Sequence, residues 1–286
     1  MISIVTSAFN ASATISRAIE SVQSQSFKDW EMIVINDCST DNTAEIIESY
    51  AINDSRIRLV NHEVNKGAGL ARRTGIANIR GEWMTFLDSD DYLKPDCLEV
   101  LDFFATNYDV DIVSQGYIMV QSSGEVIKEK KPSKKVIQAD RAKFAPNEED
   151  TKRFMNPMLI RSVLWNKVEY SSRRFIEDAP TLIQLLYWAR NIMLIDYAGY
   201  YYVQNPSSLV HSASSVKHLI FQTLCIKDMA LFFKSVGWSH LSNDAQFKAN
   251  YKKIMNHCTN VDKVKYRNEL NELKQYNKRL YEQDTF

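Results

Sequence analysis

Residues 83–91 read Trp83-Met84-Thr85-Phe86-Leu87-Asp88-Ser89-Asp90-Asp91, an apolar run that stops at three acids. A run this short, rich in aromatic and aliphatic side chains, reads as a buried strand and not as a helix of ordinary length. Three carboxylates directly after it crowd like charges, and each raises the pKa of the others. A divalent cation would relieve the crowding. Carboxylate oxygens suit hard ions such as Mg2+ and Mn2+, and Mg2+ is commonly held by one or two carboxylates together with substrate phosphates. The stretch therefore predicts a metal–phosphate site at the carboxyl end of a strand, where open α/β sheets bind ligands. The alternative is an acidic turn that caps a helix starting near Pro95.

Upstream, strand-like and helix-like segments alternate. Ile2 to Ser7 is a short β-branched run, followed by a helix whose Ile15, Ala18, Ile19 and Val22 form one apolar face, with Asn10 or Ser12 as its cap. Glu31 to Ile35 is a second strand, Ser39 or Thr40 the cap of a helix over 42–50, and Ile57 to Val60 a third strand. A further helix with Leu70, Thr74 and Ala77 on one side leads to Gly81 and the Trp83 strand. This alternation predicts βαβ units and a parallel sheet. Right-handed crossovers bring the carboxyl ends of the strands to one edge, so Ser7, Asp37 and Asp88 to Asp91 converge there.

Downstream the pattern changes. Pro95 opens a helix with Leu98, Leu101 and Ala105 inward. Strands are predicted over 111–120 and 125–128 around a Ser122-Ser123-Gly124 turn, and an exposed lysine-rich loop over 128–150. Helices are predicted over 150–164 and 179–190, short strands over 192–195 and 200–203, and helices alone beyond Val216. In the last of these, Leu270, Leu273 and Tyr276 make a thin apolar stripe. Three parts follow: a sheet-centred first part over 1–109, a second over 110–215, and a helical tail over 216–286.

Composition narrows the function. The 35 Lys and Arg balance the 35 Asp and Glu, so no global field favours nucleic acid as a partner. Cys38, Cys97, Cys225 and Cys258 have neither CxxC nor metal spacing, which favours reduced thiols in the cytoplasm. The N-terminus shows no basic segment followed by a long apolar one, and no apolar run approaches the ~18 residues of a membrane span.

Together, these segments resemble a family 2 glycosyltransferase of the GT-A fold. Ser3 to Asn10 resembles the family's "SVIIPVYN", Ile35 to Thr43 its "VDDGSTDNT", Asn65 to Ile76 its "NxGxxxARNxGI", and Gly81 to Asp91 its "GEYIxFLDADD". Leu164-Trp165-Asn166-Lys167 resembles "LWNKL", Phe175 to Asp178 the "F-x-E-D" segment, and Tyr200-Tyr201-Tyr202 with His211 the "YYYR…S" close. The fold class implied is α/β, with a mostly parallel central sheet and a C-terminal helical extension.

The resemblance implies transfer of a sugar, with inversion, from a nucleoside-diphosphate donor such as a UDP-sugar. The acceptor would be a saccharide or lipid-linked saccharide of a surface polysaccharide, lipopolysaccharide or glycan. It also implies Mn2+ or Mg2+ on Asp90, with Asp88 as its partner or a ribose contact, Ser89 in the same donor-binding turn, and His211 as an added ligand. Asp91 reads better as scaffold near the Pro95 helix. Asp37 would face the uracil edge and Ser7 the base or ribose. Lys66 and Arg72 would face the donor's negative charge or stay solvated. Asp178, then Glu177, matches the catalytic base, which must take the acceptor hydroxyl proton. Trp165 and Tyr202 are acceptor walls or core. Departures are Asn36 for the first acid of "DD", Cys38 for a glycine, predicting a locally different turn, and Val203-Gln204 where the family often has Arg.

Two other classes compete. A sugar nucleotidyltransferase needs a Gly-rich basic loop after the first strand, which Ser7-Ala8-Phe9-Asn10 does not supply. An inactive GT-A module binding glycan or nucleotide is disfavoured by the intact Asp88, Asp90 and Asp178. The expected location is the cytoplasm or the inner face of the cell membrane. Peripheral membrane contact or a homodimer through the C-terminal helices remains open.

Overall fold

A computed structural model describes residues 1–132, 135–138, 157–172, 178–204, 215–239 and 242–283. Two compact units emerge, Met1–Asn205 and Pro206–Phe286. In the first, the strands are β1 (Ile2–Ala8), β2 (Trp30–Asn36), β3 (Ile57–Asn61), β4 (Trp83–Phe86), β5 (Tyr92–Leu93), β6 (Ile112–Gln121), β7 (Val126–Lys130), β8 (Lys135–Gln138), β9 (Met158–Arg161) and β10 (Asn191–Gln204). They form one sheet in the order β3-β2-β1-β4-β9-β6-β10-β5, with β7 on β6 and β8 on β10.

From β3 to β4 all pairing is parallel. The strands alternate with α1 (Ile15–Gln23), α2 (Thr43–Asn53) and α3 (Ala68–Ile76), and α4 (Cys97–Asn107) follows β5. β9 then inserts antiparallel between β4 and β6. The change expected at residue 109 therefore falls inside a continuous sheet, and the break between compact units comes before 215.

The apolar runs explain the core. β2 is buried at every position, as expected of a parallel strand covered on both faces. Ile15, Ala18, Ile19 and Val22 of α1 bury as the periodicity predicts, and so do Leu98, Leu101 and Ala105 of α4. The face of α3 differs from the expected one. Gly69, Ala71, Arg72 and Gly75 are buried, whereas Ala77 is exposed. Small residues let this helix lie tight on the sheet: a Cβ on Gly75 would stand 2.3 Å from Val5 Cγ1.

Other differences have equally local causes. Where a helix was expected over 150–164, the described residues hold β9 and a 3-10 turn over Ser162–Asn166. Met158-Leu159-Ile160 is apolar throughout, and periodicity does not separate a buried strand from a buried helix. The two expected strands over 192–203 are one strand, β10, with a register shift between Leu194 and Ala198. The strand expected over 125–128 is β7, and within the expected lysine-rich loop 135–138 pair as a strand.

The expected caps also serve elsewhere. α1 and α2 begin at Thr14 and Asn42 without side-chain caps. Asn10 instead accepts from Thr40 N (2.8 Å) and donates its own N–H to Ser39 Oγ (3.0 Å). Asp41 accepts from Ser12 N (3.1 Å) and Thr43 N (3.1 Å), while Thr43 Oγ1 accepts from Ala11 N (2.8 Å). These bonds tie the loops after β1 and β2 into one rim.

The second unit contains α6 (Ser215–Ser235), α7 (Asp244–His257), α8 (Asn260–Lys265) and α9 (Arg267–Gln283); α5 (Asp178–Trp188) belongs to the first. Leu270, Leu273 and Tyr276 are buried, Tyr276 with its ring 4.8 Å from Phe247. That stripe packs within the fold and is not a free pairing face. No helix among the described residues is long and apolar enough to cross a membrane.

The rim gives an acid-sensitivity prediction. Burial opposes ionisation of Asp41, but bonds from Thr43 and Ser12 outweigh it and pull the carboxyl down to about 2. The folded value lies below the ordinary aspartate value of about 3.9. The stabilisation is therefore complete above that value and is lost as pH falls through the folded one. Asp41→Ala should cost about 1–2 kcal/mol at neutral pH. Its urea midpoint should fall less than the wild type's between pH 4 and 2.

Candidate active site at the carboxyl edge of the sheet

The acids after β4 divide by their partners. Asp91 is fully buried; it accepts from Tyr200 Oη (2.6 Å) and from Val203 N (2.8 Å). Burial, then the charges on Asp88 and Asp90, push its carboxyl well above the usual range. It is scaffold, but it holds β10 and does not cap α4. Asp88 is partly exposed and accepts from Arg72 Nη2 (2.6 Å), while its N–H donates to Tyr200 Oη (3.2 Å). Asp90 has its carbonyl bonded by Arg17 Nη2 (2.6 Å), and its carboxyl is raised to about 6 by burial and then by the Asp88 charge. Ser89, between them, is partly exposed.

Arg72 joins this turn to its neighbours. Besides Asp88, its guanidinium bonds Tyr170 Oη (3.2 Å) and stands 5.7 Å from the Phe86 ring centre. Trp165 packs edge-on against Phe86, at 6.0 Å between ring centres. Tyr202 meets Tyr117 in the same way at 6.3 Å. Arg72 is thus a buried partner of the acids and not a solvated helix residue. Lys66 is exposed at its side chain, and it is its backbone N–H that reaches the site.

At the end of β2, Asp37 is buried, with Oδ1 accepting from Lys66 N (2.9 Å) and Oδ2 from Gly67 N (2.7 Å). His62 Nδ1 lies 2.7 Å from Oδ1. Cys38 adopts φ +61°, the left-handed conformation a glycine would take there. The turn is therefore kept despite the cysteine, at a strain of order 1 kcal/mol. Ser7, partly exposed, is the next-to-last residue of β1 and pairs with Ile35, two residues before Asp37.

Asp178 opens α5, and its Oδ1 accepts from Ala179 N (3.0 Å). Burial raises its carboxyl; the Arg72 charge partly offsets this and the Asp88 charge adds to it. Asp178, Arg72 and Asp88 thus act on one another electrostatically across three elements. Glu177 and His211 lie outside the described residues. Arg17, His62 and the double role of Tyr200 were not anticipated from sequence. No spacing marks Arg17 or His62, and only the Tyr200-Tyr201-Tyr202 run hinted at a special strand.

The Tyr200–Asp91 bond supports a stability prediction. Tyr200→Phe leaves a buried carboxylate short of a donor, which should cost about 1–3 kcal/mol. The urea midpoint of the purified variant is the check, and an unchanged midpoint would contradict the scaffold role of Asp91.

Comparisons with known proteins address the family and the fold. The glycosyl transferase family 2 model matches residues 3–166. The uncharacterized glycosyltransferase EpsJ of Bacillus subtilis (strain 168) is 29% identical over 73% of this chain and 62% of its own length. The putative teichuronic acid biosynthesis glycosyltransferase TuaG of the same organism is 42% identical over 35% of this chain and 39% of TuaG. The chain thus spans under two thirds of either relative. S. aureus TarS 1–349 in complex with UDP-GlcNAc superposes with a TM-score of 0.66 at 19% identity, over 96% of this chain and 88% of that one. That likeness shows the shared α/β GT-A architecture. With more than half of its residues matched by the family model, the chain belongs to glycosyl transferase family 2.

Proposed function

We propose that the protein transfers a sugar, with inversion, from a UDP-sugar to a saccharide or lipid-linked saccharide in the synthesis of a bacterial surface glycan. The observation that carries this reading is the Arg72–Asp88 ion pair beyond the carboxyl end of β4, with Asp178, at the start of α5, within reach of both charges. The family membership supports the reaction class, and the names of TuaG and of the TarS complex support the glycan and the donor.

Metal chemistry has a direct test in the residues. Among the described residues no cluster of three or more His, Cys, Asp or Glu is disposed to hold an ion. Asp91 is turned onto Tyr200 and Val203, which leaves Asp88 and Asp90. Two carboxylates completed by diphosphate oxygens are an ordinary set for Mg2+ or Mn2+. Burial, and then the Asp88 charge, raise the Asp90 carboxyl, and a cation beside it would favour the ionised form. The donor set fits, with Asp90 as ligand and Asp88 beside it. Such an ion, when bound, would neutralise charge growing on the departing diphosphate.

The chain's own residues supply the rest. Arg72 sets the place of Asp88 and adds positive charge near the leaving group. Asp37 Oδ2, which among the described residues takes the Gly67 N–H, keeps a lone pair for the ring N–H of a uracil base. Ser7 lines the base or ribose. Asp178 takes the proton of the acceptor hydroxyl as the hydroxyl oxygen attacks the anomeric carbon, and the bond from that carbon to the diphosphate oxygen breaks, releasing UDP. A carboxyl raised by burial is a better base than an ordinary aspartate.

Release of UDP from UDP-sugars, assayed with and without Mn2+, tests this. Asp90→Ala should abolish the metal-dependent turnover with the far-UV spectrum unchanged, and wild-type turnover would refute the assignment. Asp178→Asn should lower kcat by about 10²–10⁴-fold. In the wild type, kcat/KM should fall on acidification, because the base must be ionised. The midpoint should lie above the usual carboxylate range, as the raised Asp178 requires.

A further inference from the structure

His62 ends up between β2 and α3 with both ring nitrogens engaged. Its side chain and that of Asp37 are each 4% exposed. Its own N–H donates to Asn36 O (2.9 Å), so the backbone that carries the ring is pinned to β2. Nδ1 lies 2.7 Å from Asp37 Oδ1, and Nε2 lies 2.9 Å from Thr74 Oγ1. Both Asp37 oxygens already accept backbone N–H groups, from Lys66 and Gly67. They act as acceptors, so Nδ1 carries the proton in that contact.

We propose that His62 is a positioning residue for the nucleotide donor. It sets the rotation of the Asp37 carboxylate, and this has two consequences. The first is where the remaining Oδ2 lone pair points. The second is where α3 begins, because Lys66 N and Gly67 N hang from the same carboxylate and Gly67 turns the chain into the helix at φ +87°. From the other side, Nε2, unprotonated in this tautomer, accepts from the Thr74 hydroxyl, for whose single proton Leu70 O (3.1 Å) within α3 is the competing acceptor. The helix is thus gripped at its entry and at its seventh residue, and between those points it carries Arg72 to Asp88. A histidine that merely filled space would need neither bond. A ring bonded at both nitrogens fixes an orientation, and here it fixes the element that connects the base end of the site to its diphosphate end.

This inference rests on the donor reading above, and the test separates the two. UDP binding is measured by calorimetry and donor kinetics by UDP release. His62→Leu removes both side-chain bonds at similar volume. Its UDP Kd and donor KM should rise about tenfold or more, while kcat at saturating donor stays within about twofold. In His62→Gln, the amide nitrogen can donate to Asp37 and the amide oxygen can accept from Thr74. That variant should recover most of the affinity. Thr74→Val, which keeps the Asp37 contact, should shift Kd in the same direction by less, and serves if His62→Leu fails to fold. A His62→Leu variant that melts earlier yet binds UDP as the wild type does would overturn the proposal. Equal losses in Leu and Gln would overturn it too. A wild type that binds no UDP would overturn the donor reading, and this proposal with it.

Discussion

The buried Asp91 carboxylate is the constraint from which the site follows. A charge removed from water is costly unless each oxygen finds a donor. Here the donors are Tyr200 Oη and the Val203 N–H, both from β10. That need holds β10 beside the end of β4, although β9 and β6 lie between those strands in the sheet. It also draws the third acid out of the cluster. Asp88 is left balanced by Arg72, and Asp90 with its carboxyl raised by burial and then by the Asp88 charge. One desolvated group thereby joins the sheet's two halves and sets Asp91 apart from Asp88 and Asp90 in its partners.

A second buried acid does the same at the neighbouring strand end. Asp37 collects the loop before α3 by its backbone, so the helix starts where the carboxylate dictates. Gly75 lets that helix settle on β1 and β2, and Arg72 reaches Asp88 as a result. The left-handed Cys38 beside Asp37 shows how strongly the turn is held. Its strain is small against the hydrogen bonds of the rim it serves.

The N-terminal βαβ pattern was legible because its strands are short, continuous and bounded by turn residues, and because α1 and α4 carry strong one-sided periodicity. The site was legible at its charged ends: Asp88, Asp90 and Asp178 stand at strand or helix boundaries. The buried face of α3 was not, because close approach to a sheet selects small residues, and counting large apolar ones pointed to the wrong side. The caps were misassigned for a related reason. Asn10, Ser39 and Thr40 are good capping residues taken singly, but each found a partner in the other loop.

By itself, then, the sequence determined the alternating α/β order, the edge on which the acids gather, and the family resemblance carried by four ordered motifs. These are properties of local periodicity and of residue types at strand ends. Only the tertiary structure decided that Asp91 belongs to β10, that Arg72 is a buried partner of the acids, and that His62 stands behind Asp37. Those are contacts between residues far apart in the chain, set by the need to satisfy each buried charge. For the opening stretch, pattern alone located the three carboxylates, and burial decided that Asp91 is the one bound to β10.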